Sequence, residues 1–106
     1  MGRIVIAVYR PKPGFATELE SLVKTHVPIL RSLGLATARE SITMRAKNDM
    51  VIEVFEWVSK DAIESAHKNV TVLEMWQKFA EVCDFTTLSQ VSESQQMFSE
   101  FTPLDQ

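Results

Sequence analysis

The sequence predicts an α+β domain, one antiparallel β-sheet with helices packed on one face. Three observations carry this reading. Short apolar or alternating stretches rich in β-branched residues fall near residues 3–10, 36–45 and 50–58. Two longer stretches between and after them switch to a helical period. At 106 residues the chain has room for one domain, expected over 1–106.

The elements follow in order. Ile4, Val5, Ile6 and Val8 make residues 3–10 a strand that is apolar on both faces, and such a strand is usually covered on both. Pro11, Pro13 and Gly14 break it into a loop. Leu19, Leu22, Val23, His26, Leu30 and Leu33 then form one stripe of a helix. Pro28 lies inside that helix and is expected to bend or interrupt its last turns. Gly34 is placed to end it in a left-handed conformation.

Residues 36–45 read as a second strand, with Ala36, Ala38, Ile42 and Met44 on one face and Thr37, Arg39, Ser41 and Thr43 on the other. A polar turn at 46–49 leads into a third strand, making an antiparallel hairpin. There Ile52 and Val54 share one face, and Val51, Glu53, Phe55 and Trp57 the other. Ser59 is placed to cap a helix from Lys60. Thr71 and Glu74 have capping-box spacing, so the helix should break or restart near 69–71. Val72, Leu73, Trp76, Phe79, Ala80 and Cys83 continue as a helical stripe. Residues 84–96 read as irregular, with Leu88 and Val91 on a short helical turn, and 97–104 as a last strand. Pro103 lacks an N–H, which puts that end at a sheet edge.

The order is βαββαβ, the split βαβ or ferredoxin-like arrangement. Its second sheet face is also apolar, through the first strand and, on this reading, Phe55 and Trp57. The economical cover is a second copy of the same sheet, so a homodimer is expected.

Composition narrows the function. Hydrophobic residues make up 45% and charged residues 24%, as in a packed globule. A net charge of −3 argues against a nucleic-acid partner. The lone Cys83 cannot form an internal disulfide, and structural zinc normally needs several Cys or His, so no metal is expected. The apolar stretch 4–8 is too short for a signal-peptide core or a membrane span, which makes the cytoplasm the expected compartment. Three glycines and no Gly-rich loop leave no phosphate-cradling motif.

Two signatures resemble a known family. The first is Val5-Ile-Ala-Val-Tyr9-Arg10-Pro-Lys-Pro-Gly14 followed by a helix ending at Leu33 and Gly34. The second is a strand ending Val54-Phe-Glu-Trp57, then Ser59, a helix with His67, and Trp76 with Phe79. Together they resemble the dimeric α/β-barrel superfamily, most closely its antibiotic biosynthesis monooxygenase-like group. The resemblance implies a homodimeric barrel with a pocket in each subunit between sheet and helices. Members of that group oxidise aromatic polyketides with oxygen and no bound cofactor, degrade haem, or act on quinone-like and signalling molecules. The haem degraders carry an Asn on the first strand. Here the asparagines are Asn48 and Asn69, and Trp76 or its neighbours stand where a haem-ligating His is expected. Haem is therefore not expected, and no other cofactor is implied.

His67 matches the family's helix histidine and is the candidate catalytic base. Extended helical phase aligns it with Ile63 and Val70 and turns it toward the pocket. A structural role, satisfying a carbonyl or the dimer seam, competes with this. Glu64 and His67 spell Glu-x-x-His, but a single copy is too little for a di-metal site. His26 lies on the apolar stripe, as a core histidine or a polar lining of the pocket. Arg39 and Glu53, with Glu100, are expected to point between the two sheets of the dimer. Arg39 would there pair with Glu53, or hold an acidic group of a ligand. Tyr9 is a ligand hydrogen-bond donor or a rim residue. Phe55, Trp57 and Trp76 are core residues that can also line an aromatic-accepting pocket. Cys83 reads as a buried, unreactive thiol. The expected function is a cofactor-independent monooxygenase, or a related small enzyme, acting on an aromatic or quinone-like molecule. The alternative is a non-catalytic ligand-binding or stress-response dimer of the same fold.

Overall fold

The computed structural model describes residues 1–104, so the last two residues of the domain expected over 1–106 lie outside the described residues. Strands β1 (Arg3–Pro11), β2 (Ile42–Arg45), β3 (Val51–Trp57), β4 (Cys83–Thr86) and β5 (Thr102–Pro103) form one sheet in the order β4-β1-β3-β2-β5. Every neighbouring pair is antiparallel. Helices α1 (Ala16–Ser32), α2 (Lys60–Ala66) and α3 (Val70–Val82) complete an α+β fold compatible with the expected ferredoxin-like arrangement. Among the described residues no helix is long and apolar enough to cross a membrane.

Register fixes which residues meet the helices. Val5 pairs with Phe55, Ala7 with Glu53 and Tyr9 with Val51, so these share one face of the pleat. Tyr9, Val51, Phe55 and Trp57 cluster there with Leu19, Val23, Val27 and Leu30 of α1 and with Val72, Met75 and Phe79 of α3. The other face carries Val8, Ile52 and Met44. Val91 and Phe101, from the segment after β4, cover that end of it. Ile4, Ile6 and Ile42 on the same face remain 57%, 50% and 51% exposed. Phe55 and Trp57 were expected among the outward apolar residues, but they face the helices instead.

Three strands differ from the sequence reading. The fourth strand is β4, which leaves α3 with no intervening loop and pairs with β1 from Val8↔Thr86 to Pro11↔Cys83. The strand expected over 97–104 shrinks to β5, a two-residue edge pairing against β2, where Pro103 needs no ladder donor. The second strand is also shorter than expected. Arg31 Nε donates to the Thr37 carbonyl at 2.8 Å and its terminal nitrogen to the Arg39 carbonyl at 2.6 Å. Those acceptors are thereby taken from a ladder, and only an isolated Ala36–Trp57 bridge survives upstream of β2.

The helix ends follow local chemistry. Helix α1 runs through Pro28, whose ring lies on the exposed side where water can reach the freed Lys24 carbonyl. At its end the Leu35 N–H reaches the Leu30 carbonyl at 2.9 Å and the Gly34 N–H the Arg31 carbonyl at 3.0 Å, a Schellman motif. Gly34 supplies the required φ of +74°. A Cβ there would meet nothing within 4 Å, so only backbone strain opposes it. Gly34→Ala is expected to cost about 1–2 kcal/mol in chemical denaturation. Ser59 caps α2 as expected, accepting the Ala62 N–H at 3.1 Å. Asn69, not Thr71, caps α3 by accepting the Val72 N–H at 3.1 Å.

The segment after β4 contains two 3₁₀ turns, Leu88–Gln90 and Ser92–Gln95, with Val91 fully buried between them. Glu93 pins it by accepting the Lys47 backbone N–H at 2.9 Å. That bond, with a further backbone N–H and the Ser92 hydroxyl, holds the Glu93 carboxyl below the usual carboxylate range. A lowered native value contributes stability that is present above the unfolded-state value and lost as pH falls through the native one. Stability is therefore expected to fall on acidification below the ordinary carboxylate range. Glu93→Gln should flatten that part of the profile, measured by urea midpoints at successive pH values.

Candidate functional site

A cavity of about 360 Å³ opens between the sheet and the helices. Val5, Ala7, Tyr9, Phe55 and Trp57 form its floor, His26 enters from α1, Trp76 from α3, and Phe85 and Thr86 from β4. Phe85, 55% exposed, stands at its rim. The volume is at the low end for small-molecule sites, and the lining is apolar with few polar groups, as such sites are.

Its polar groups form one chain of hydrogen bonds. Glu53 is fully buried, and its Oε1 lies 2.8 Å from both the Tyr9 hydroxyl and His26 Nδ1. Trp76 Nε1 lies 3.0 Å from His26 Nε2. An indole N–H only donates, so His26 Nε2 must be the acceptor. The proton therefore sits on Nδ1 and is donated to Glu53. His26 is a neutral imidazole with a fixed tautomer, oriented by a carboxylate behind it. Burial first, then the adjacent Glu53 charge, pushes the Tyr9 hydroxyl well above its ordinary value and keeps it a donor. Glu53 Oε2 is buried with no hydrogen-bond partner among the described residues.

The surrounding packing is aromatic. The His26 ring meets Phe55 at 5.5 Å and Phe79 at 5.2 Å between centroids, both edge-on. Phe79 also packs against Tyr9 at 5.2 Å, and Phe55 against Trp57 at 5.2 Å.

Of the residues singled out in the sequence, Tyr9, His26, Phe55, Trp57 and Trp76 line this cavity, and Glu53 lies directly behind it. The other two stand apart. Arg39 does not pair with Glu53. Its side chain is 62% exposed and its Nε bonds Glu56 Oε1 at 3.1 Å. The Thr37 hydroxyl, then Arg39, hold the Glu56 carboxyl below its usual range. Glu53 faces the helices, not a space between two sheets, and Glu100 is exposed.

His67 was expected to face the pocket, but it is exposed and does not line the cavity. Helix α2 ends at Ala66, so His67 is its cap and the phase shared with Ile63 does not carry on to Val70, which is 68% exposed. Its Nδ1 donates to the Ile63 carbonyl at 2.8 Å, and its ring packs on Trp76 at 5.1 Å. His67 thus touches the site from outside, through Trp76.

Cys83 is buried as expected, though it opens β4 rather than extending a helical stripe. Burial first, then Asp84, pushes its thiol up to about 11, which keeps it protonated at neutral pH. Among the described residues no three His, Cys, Asp or Glu side chains come together as metal ligands.

The His26–Glu53 pair was not foreseen as a unit. A signal for it exists in the sequence. Each is a lone polar residue on an otherwise apolar, inward face, His26 on the stripe of α1 and Glu53 among Val51, Phe55 and Trp57. Buried polar groups need partners. No family model matches the chain, and no curated protein is significantly similar to it in sequence.

Proposed function

We propose that this protein is a small cofactor-independent oxygenase of the antibiotic biosynthesis monooxygenase-like kind, acting on an aromatic or quinone-like molecule held in the cavity. The observation that carries the reading is a neutral imidazole at the wall of an apolar cavity, backed by a buried carboxylate. That is the arrangement of a general base. His26 Nε2 takes a proton from an activated ring carbon or hydroxyl. Glu53 stabilises the imidazolium that results, and Tyr9 holds Glu53. The catalytic role expected for His67 passes to His26.

The chemistry balances without a further reductant. Deprotonation of a ring methylene leaves a carbanion, which adds dioxygen to give a peroxide anion. His26 returns its proton to that anion. Loss of water from the hydroperoxide leaves a carbonyl, so one oxygen atom enters the product and the other leaves as water. The apolar walls favour this by keeping bulk water from the carbanion.

The test is oxygen uptake with a panel of anthrones, which carry the ring methylene the step requires, and no added cofactor. Uptake of one dioxygen per carbonyl formed, lost in the Glu53→Gln variant, supports the reading. Binding with no oxygen uptake for any member would leave a non-catalytic ligand-binding dimer.

The reading includes a homodimer. Its support is the exposed row Ile4, Ile6 and Ile42 on the sheet face away from the helices. A second sheet laid on that face would bury it and close a barrel. Ile6→Lys would place a charge in such a seam. Sedimentation at micromolar concentration is expected to show a dimer for the natural chain and a 12.0 kDa species for this variant. A natural chain that sediments at the monomer mass would remove the dimer from the proposal.

A further inference from the structure

We infer that the cavity selects neutral, hydroxyl-bearing aromatic rings, and that Trp76 is a latch whose indole N–H occupies the place of the ligand hydroxyl. The inference rests on the proposed function only in taking the occupant to be a small aromatic molecule; it does not require turnover.

The donors and acceptors around the cavity set the first limit. The Tyr9 hydroxyl and the His26 Nδ1–H are both committed to Glu53 Oε1. The Trp76 N–H is committed to His26 Nε2. The basic lone pair at the wall is therefore that of Nε2, and the group on it comes from a different helix. A ligand that brings no donor breaks the Trp76–His26 bond and leaves Nε2 buried and unpaired, or leaves the bond intact and gains nothing from it. A ligand with a hydroxyl can replace the indole one for one, and its proton then lies on the path to the base.

Charge sets the second limit. None of the lining residues is cationic once His26 is neutral, and the nearest charge behind the wall is the Glu53 carboxylate. A carboxylate or phosphate ligand would enter an apolar cavity with no counter-charge and with like charge behind it. Such anions are excluded. Trp76 is free to yield because α3 holds it at the edge of the site, half-buried, with the exposed His67 ring on it. It is a positioning residue, acting through His26.

The experiment uses three probes that share one ring system under anaerobic conditions: 1-naphthol, 1-methoxynaphthalene and 1-naphthoate. Both tryptophans of the chain line the cavity, so their fluorescence reports occupancy. The natural protein is expected to bind 1-naphthol at least about tenfold more tightly than either of the others. Trp76→Phe keeps a ring but removes the competing N–H, so it should tighten 1-naphthol by roughly three- to tenfold and leave 1-methoxynaphthalene weak. Should that variant fail to fold, the indole N–H resonance of Trp76 in the natural protein provides the second readout. It should shift on adding 1-naphthol and stay in place with 1-naphthoate. Equal binding of naphthol and its methyl ether, or a Trp76→Phe variant that loses affinity for both alike, would overturn the inference, as would no binding of any probe. Selective binding without oxygen uptake from any substrate would leave the inference standing and remove the oxygenase reading alone.

Discussion

Glu53→Gln is expected to cut turnover of any aromatic substrate by about 10²–10⁴-fold, the usual contribution of a positioned base, while leaving the fold at least as stable. The two halves have different causes. Glutamine keeps the shape of the side chain and an oxygen that can still accept from Tyr9 and His26 Nδ1. The neutral tautomer and the ring position of His26 therefore survive. The negative charge does not survive, and it is the charge that would stabilise the imidazolium formed when Nε2 takes a proton.

Stability moves the other way. Glu53 is fully buried and one of its oxygens has no partner among the described residues. An ionised group in that position carries a desolvation cost that a neutral amide largely avoids. The amide nitrogen would inherit the missing partner, at the smaller cost of an unsatisfied neutral group. The measurement pairs initial rates of oxygen uptake with urea midpoints on both proteins. Unchanged turnover would remove the Glu53 charge from the chemistry. A large loss of stability would mean that the charge itself holds the cavity wall together.

How much of this was legible in the sequence depends on which rule each residue obeys. Period and capping exposed the elements, because Leu19, Val23 and Leu30 sit on one helical stripe and Ser59 has the chemistry of a cap. Strand β4 escaped because Cys83 to Thr86 follows α3 with no turn residue and exposes Asp84 and Phe85, so neither a breaker nor an alternation marks it. Strict alternation along the second strand pairs Arg39 with Glu53. Arg31 holds the carbonyls of Thr37 and Arg39 away from the ladder, alternation fails there, and Arg39 meets Glu56 instead. The reading of His67 failed for a related reason. The helical phase of Ile63 and His67 was carried on to Val70, across the break between α2 and α3, and Val70 does not point inward. Tyr9, His26, Phe55, Trp57 and Trp76 could be singled out one by one, while Phe85 and Thr86 of β4 could not, and neither could the wiring among these residues. Two hydrogen bonds, from α3 to α1 and from α1 to β3, join residues 76, 26 and 53, and no local pattern carries contacts of that range.

Phe79→Ala is expected to destabilise the protein by about 3–5 kcal/mol, the usual cost of removing a buried phenylalanine ring. A domain of this size holds roughly 5–15 kcal/mol in all, so the loss is a large fraction of the whole. Phe79 is 0% exposed on the inward face of α3. Its ring packs on both Tyr9 and His26. Collapse around the lost ring would have to move one of those two, and each is tied to Glu53 at 2.8 Å. The hydrogen bonds thus resist the relaxation that would otherwise shrink the hole, which argues for the upper part of the range. Phe79→Leu fills most of the volume and should cost less than about 1.5 kcal/mol. Guanidinium midpoints at constant slope measure both. If alanine costs no more than leucine, the core collapses freely around residue 79, and the Tyr9–Glu53–His26 chain is looser than its short distances imply. If the gap is as large as expected, the packing of α3 and the orientation of the base are one mechanical unit. Variants at Phe79 that fold should then lose the selectivity for hydroxyl-bearing ligands in step with their loss of stability.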